Sequence, residues 1–238
     1  MARAFLNLGG SPGSKPIQIN SYTTAGGHTF TVPADCSHIE VWGTAGGGGG
    51  GTPSNNWNNA GGGRAGASFY MKVPATALTS ATYSLTVGGY GHNATGSNNQ
   101  GGSGGYSQMF GIRASGGPGG AASQGGPGNG NEFVTAQVEN SADCPIPTSE
   151  VMLITGGQCS MGSGGNSDDD PSTYGNGASS IWGSGGAGGA RSANSGQRNG
   201  QNGHAYGSGG GGGANRNGSD GGAGNGADGI VLIISYGA

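Results

Sequence analysis

The chain has 238 residues, 61 of them glycine and 10 proline, with 8 Lys and Arg against 11 Asp and Glu. So few large side chains exclude one thick hydrophobic core. The scattered cations exclude the basic stripe that nucleic acid requires, and no apolar run is long enough to span a membrane as a helix. Global disorder fits poorly as well, because disordered chains are highly charged and poor in aromatics, whereas this one carries 8 Tyr, 5 Phe and 3 Trp at a net charge of −3.

The first segment, residues 1–24, has one Arg and a short apolar patch, Phe5-Leu6, which is no secretory leader. It reads as a product made in a cytoplasm and released by lysis. Pro12, Pro16 and Ile17 suit an extended attachment arm docked on a partner. Period-two patterns follow. Phe30 and Val32 share a face, as do Ile39 and Val41 with Glu40 and Trp42 opposite. Phe69, Met71 and Val73 alternate with Tyr70 and Lys72, and Tyr83, Leu85 and Val87 with Ser84 and Thr86. Val134, Ala136 and Val138 form a weaker strand pattern, and residues 151–155 another. The closing run Ile230-Val231-Leu232-Ile233-Ile234 has no polar position and predicts a strand buried on both faces, central in a sheet. No window carries apolar residues at helical spacing without an interior glycine, which costs ~1 kcal/mol against alanine. The expected fold class is therefore all-β and sandwich-like, with almost no α-helix.

Between the strands lie glycine tracts at residues 46–66, 116–130 and 183–229. Collagen is excluded, because Gly196, Gly200 and Gly203 break its every-third register and proline is too rare. Polyglycine-II-like segments remain. Without side chains they approach closely, and lateral N–H to C=O bonds satisfy the backbone in place of a hydrophobic core.

Catalytic and metal chemistry finds no pattern. His28, His38, His92 and His204 are isolated from any nucleophile and carboxylate in a recognisable order. Asp168-Asp169-Asp170 reads as a solvated turn rather than a calcium site. Cys36, Cys144 and Cys159 lack zinc spacing and read as buried small thiols. No catalytic residue, cofactor or metal is expected, and the chain is read as a non-enzyme. Aromatics set among Asn, Ser and Gly have the composition of recognition loops, where rigid rings supply contact area and small polar residues adapt. The candidate receptor-binding residues are Trp57 with Asn56 and Asn58, Tyr90, His92, Tyr174, His204 and Tyr206. Trp42 and Trp182 are assigned to packing.

An ordered series of motifs covers most of residues 25–236. It comprises Phe30-Thr31-Val32-Pro33, Ile39-Glu40-Val41-Trp42-Gly43 followed by Gly46 to Gly51, and the Tyr83 to Gly89 run. It continues through residues 101–111 and 114–117, and ends with Gly222-Ala223-Gly224-Asn225-Gly226-Ala227-Asp228-Gly229 leading into the aliphatic strand. The series resembles the glycine-rich domain at the ends of bacteriophage tail fibres and adhesins. The resemblance implies a β framework with packed polyglycine-II-like strands whose loops contact the host surface. On this reading residues 25–238 are one domain behind the arm, with residues 129–162 as an insertion. The expected function is a virion protein of the tail fibre or tail tip, a homotrimer binding a host glycan or outer-membrane protein. The alternative is a structural virion protein: a head fibre, a decoration protein or a tail-assembly component.

Overall fold

Alternating apolar residues build two antiparallel five-stranded sheets that share one core. The computed structural model describes residues 15–53, 60–122, 134–159, 175–190, 198–216 and 219–237. In chain order the strands are β1 (Pro16–Tyr22), β2 (Gly26–Thr31), β3 (Cys36–Thr44), β4 (Ser68–Pro74), β5 (Thr82–Val87) and β6 (Ser107–Met109). They continue as β7 (Ile112–Ala114), β8 (Ala136–Val138), β9 (Met152–Ile154), β10 (Asn215–Arg216), β11 (Ser219–Asp220) and β12 (Ile230–Gly237). One sheet runs β1-β12-β3-β4-β9 and the other β2-β5-β6-β7-β8, while β10 and β11 form a separate ribbon. Short 3-10 turns lie at Ala75–Ala77, Ser141–Asp143 and Thr148–Glu150, and among the described residues no helix reaches seven residues.

The period-two faces meet as expected. Ile39, Val41, Phe69, Met71, Val73, Val231 and Ile233 face Phe30, Leu85, Val87, Met109, Ile112 and Ala114 in one buried cluster. Each such fully buried large side chain stabilises the fold by about 1.5–3 kcal/mol, so the large residues are concentrated where they exclude most water. Gly43 is required within this packing. It lies opposite Phe69 in the β3–β4 register, and a side chain there would occupy the Phe69 ring. The closing strand β12 is bonded on both sides, to β1 and β3, with Val231 and Ile233 fully buried and Leu232 part-buried. Pro16–Tyr22, within the segment expected as an arm, forms the edge strand β1, and β8 and β9 of the expected insertion pair with β7 and β4.

Beyond the sheets the glycine tracts pack as a lattice of rods. A polyglycine II chain has about three residues per turn, so its successive N–H groups point to three neighbours in rotation. Residues 45–52 do this. Ala45, Gly48 and Gly51 donate to Ala67, Arg64 and Gly61; Gly46, Gly49 and Thr52 to Gly105, Gly102 and Asn99; Gly47 and Gly50 to Ala227 and Gly224, all at 2.8–3.0 Å. The carbonyls of the same rod accept from three further chains: Gly46 and Gly49 from Gly117 and Gly120, Gly47 and Gly50 from Gly91 and Ala94, Gly48 and Gly51 from Gly210 and Gly213. Acceptor numbers fall along the three chains that receive its N–H bonds and donor numbers rise along the three that bond its carbonyls. The rod therefore has three antiparallel and three parallel neighbours.

A second fully surrounded rod, residues 209–214, donates in turn to Ala178, Gly48, Gln201, Gly175, Gly51 and Arg198. Buried backbone polarity is thus satisfied laterally, as a core without side chains demands. Such spacing leaves no room for a Cβ: a methyl on Gly48 would occupy the carbonyl of Pro118.

Candidate functional site

The strands pass into the rods through a buried polar junction. Thr44, the last residue of β3, shares a hydrogen bond with Ser68 Oγ at 2.9 Å, and its Oγ1 accepts the Trp182 Nε1–H at 2.8 Å. Its carbonyl accepts the Ser107 hydroxyl at 2.8 Å, and Ser107 Oγ in turn accepts the Gly88 N–H at 3.0 Å. Thr44 and Ser107 are fully buried, so both sheets enter the lattice at one fixed point.

Beside this junction is an open concavity of about 670 Å³, lined by Thr23, Trp182, His204, Ala205, Tyr206, Ala227 and Asp228. The turn that presents Tyr206 is held from both sides. Ala205 N–H donates to Ser208 Oγ at 3.2 Å, Ser208 N–H returns to the Ala205 carbonyl at 3.0 Å, and Gly207 N–H donates to the Asp228 carbonyl at 2.7 Å. Gly207 adopts φ 70°, the left-handed region that glycine enters without strain, and a side chain there would press on Thr44 and Ala45. Asp228 Oδ1 accepts the Tyr90 N–H at 2.8 Å, and the Tyr90 ring meets His92 edge-on with centroids 4.8 Å apart. Tyr206 is 40% exposed and Tyr90 39%, so both rings offer face or edge to a ligand.

Of the sequence-derived candidates, His204 and Tyr206 thus line one concavity, and Tyr90 and His92 adjoin it through Asp228. Trp57, Asn56, Asn58 and Tyr174 lie outside the described residues, as do Asp168–Asp170. Trp182 does pack, through its bond to Thr44, but it also lines the concavity, a role its sequence setting did not signal. Asp228 stands in the sequence only as part of the closing glycine-rich motif and was not a site candidate, because a single Asp between Ala227 and Gly229 carries no mark of its neighbours.

The opposite end of the lattice gathers chain connections. Gly51 bonds to Gly61, Thr52 to Asn99, Gly61 to Ala121, Gly212 to Gly175, Gly189 to Gly212, and Ala214 to Arg198. At this end, remote from the two sheets, lie Thr52, Ala60, Asn99, Ala121, Gly175, Arg198 and the β10–β11 ribbon.

A second polar cluster occupies the outer face of the first sheet. Tyr236 OH donates to Glu40 Oε2 at 3.3 Å, and the His38 ring stacks on Tyr236 at 4.5 Å and 4°. Burial, the Glu40 charge and a hydrogen bond to Glu40 push the Tyr70 phenol up to about 12. Burial, and then the Lys72 ammonium, push the His38 imidazole below its usual value. None of the three cysteines is in a disulfide, and each is part-buried where buried small thiols were expected. Among the described residues no group of three or more His, Cys, Asp or Glu could hold a metal ion.

Fold and site together make a β-sandwich continued by a lattice of glycine rods, with an aromatic-lined concavity at their junction. A family model described as a glycine-rich domain matches residues 23–236, and the chain belongs to that family. No curated protein matches the chain at a significant level.

Proposed function

We propose that this chain is a non-catalytic recognition protein of a bacteriophage virion, carried at the tail fibre or tail tip and binding a molecule of the host surface. The observation that carries this reading is a lattice of glycine rods, laterally hydrogen-bonded and too closely packed at most glycines to admit a Cβ, held fast to a two-sheet core. Ordering glycine is entropically expensive. A rigid mount for exposed loops is a use that repays ordering this many, and recognition sites favour loops fixed on rigid scaffolds. The sequence resemblance to tail-fibre and adhesin domains points the same way. The partners proposed are a host glycan or outer-membrane protein at the loops, other virion proteins at the N-terminal segment, and two further copies of the chain in a homotrimer.

Labelled protein should stain cells of the host bacterium and compete with phage adsorption; folded protein that does neither would remove the reading. A second reading, a structural virion component such as a head fibre, decoration or tail-assembly protein, is favoured by edge strand β1. Its Ile17 and Ile19 are 47% and 61% exposed, and an unpaired edge with exposed aliphatics suits docking on a partner strand. Gold labelling of intact particles separates the two, since only the first places the chain at the tail extremity.

A further inference from the structure

We propose that the concavity formed by Thr23, Trp182, His204, Tyr206 and Asp228 binds one uncharged pyranose ring, at a site distinct from the connections at the far end of the lattice. It rests on the recognition reading only for its biological use; the site itself stands on four observations. Its volume, about 670 Å³, is ample for a single sugar ring. Two large aromatic side chains, Trp182 and Tyr206, line it, and aromatic rings offer apolar faces against which the C–H face of a sugar can lie. Trp182 Nε1–H is committed to Thr44 Oγ1 at 2.8 Å, so the indole is fixed in orientation and meets a ligand through its carbon surface.

The polar groups suit hydroxyls. Asp228 holds the Tyr90 N–H with Oδ1, and a carboxylate has acceptor capacity beyond one bond, with charge-assisted hydrogen bonds to O–H groups stronger than neutral ones. His204 and Thr23 supply a ring nitrogen and a hydroxyl on the same lining. Finally, among the described residues the lining includes Asp228 but no Lys or Arg. A uronic or phosphorylated sugar would place its charge beside the Asp228 carboxylate with no cation to offset it. The walls are therefore selective for neutral rings.

The test is saturation-transfer NMR on the full chain with the methyl glycosides of glucose, galactose, mannose and N-acetylglucosamine, and with methyl glucuronide and choline as charged probes. At least one neutral glycoside should bind with a millimolar dissociation constant, weakened about tenfold or more by Tyr206→Ala. Asp228→Asn retains an acceptor for the Tyr90 N–H and should weaken binding severalfold with little change in Tm. Methyl glucuronide should bind about tenfold more weakly than the best neutral probe.

The proposal is overturned if no neutral glycoside binds at about 50 mM, if both variants bind as the parent does, or if methyl glucuronide or choline binds more tightly. Loss of glycoside binding in Tyr206→Ala with cell staining intact assigns the sugar to this cleft and the host contact elsewhere. Absence of glycoside binding in a parent that still stains cells overturns the sugar site alone. Glycoside binding without staining overturns the recognition reading alone.

Discussion

Trp182 donates its indole N–H to Thr44 Oγ1 at 2.8 Å, joining a turn of the glycine lattice to the residue at which β3 becomes the first rod. Thr44 is fully buried and also bonded to Ser68 Oγ, so the indole completes a network rather than a single pair. Trp182→Phe keeps an aromatic wall but removes the donor. It should cost about 1–2 kcal/mol, the value of one buried hydrogen bond plus imperfect repacking, and lower Tm in a thermal scan. An unchanged Tm would mean that Thr44 does not depend on Trp182.

Gly48 and Gly27 are a matched pair for the lattice. A methyl on Gly48 would occupy the Pro118 carbonyl, whereas one on Gly27, in β2, meets nothing within 4 Å. Gly48→Ala should therefore destabilise by roughly 3 kcal/mol or more, because the obstacle is backbone and also breaks lateral hydrogen bonds. Gly27→Ala should be neutral or stabilise by about 0.4–1 kcal/mol by reducing unfolded-state entropy. Urea denaturation of both variants measures the contrast; similar effects would argue against close packing of the rods.

The outer cluster of the first sheet gives opposite responses at the two ends of the pH scale. His38 is held below its usual value by burial and then by Lys72, against the opposing pull of Glu40. The unfolded chain therefore binds the extra proton more readily, and stability is lost as pH falls below about 6.5. His38→Phe retains the stack on Tyr236 and should lessen the Tm loss between pH 7.5 and 5. Tyr70, raised to about 12, contributes stability that is complete below about pH 10 and lost as pH rises through its folded value. Ultraviolet titration should show late-ionising phenols, one fewer in Tyr70→Phe; ionisation of every phenol near pH 10 would contradict the burial of Tyr70 and its Glu40 contact.

Much of the sandwich is legible in the sequence because its strands carry large residues at period two. Ile39 and Val41, or Phe69, Met71 and Val73, identify both the strand and its buried face. β6 and β7 are not legible. Each is only three residues long, and they pair through a turn at Phe110 and Gly111 with φ of 52° and 69°. An aromatic in the left-handed region is unusual in such a turn, and it persists here with Phe110 buried in the core and its ring against Tyr83 at 4.8 Å. β1 is hidden for another reason. Its residues are mostly exposed, and its partner is the far end of the chain, with Pro16 opposite Tyr236.

The lattice divides in the same way. Its existence follows from composition, but its connectivity does not, because glycine carries no label to say that Gly48 bonds to Arg64 and Gly50 to Gly224. His204 and Tyr206 stand out as aromatics in a glycine run. Their partners Trp182 and Asp228 become visible only when three separate returns of the chain meet at Thr44 and Gly207.

Amide hydrogen exchange, resolved by residue, tests the rigidity of the lattice most directly. Gly46 to Gly51 and Gly209 to Gly213 are fully surrounded and bonded, so they should exchange only through global unfolding, as slowly as Val41 and Ile233 in the sandwich. Exchange of those glycines within minutes, while Val41 and Ile233 stay protected, would show that the rods are not one rigid body with the sheets.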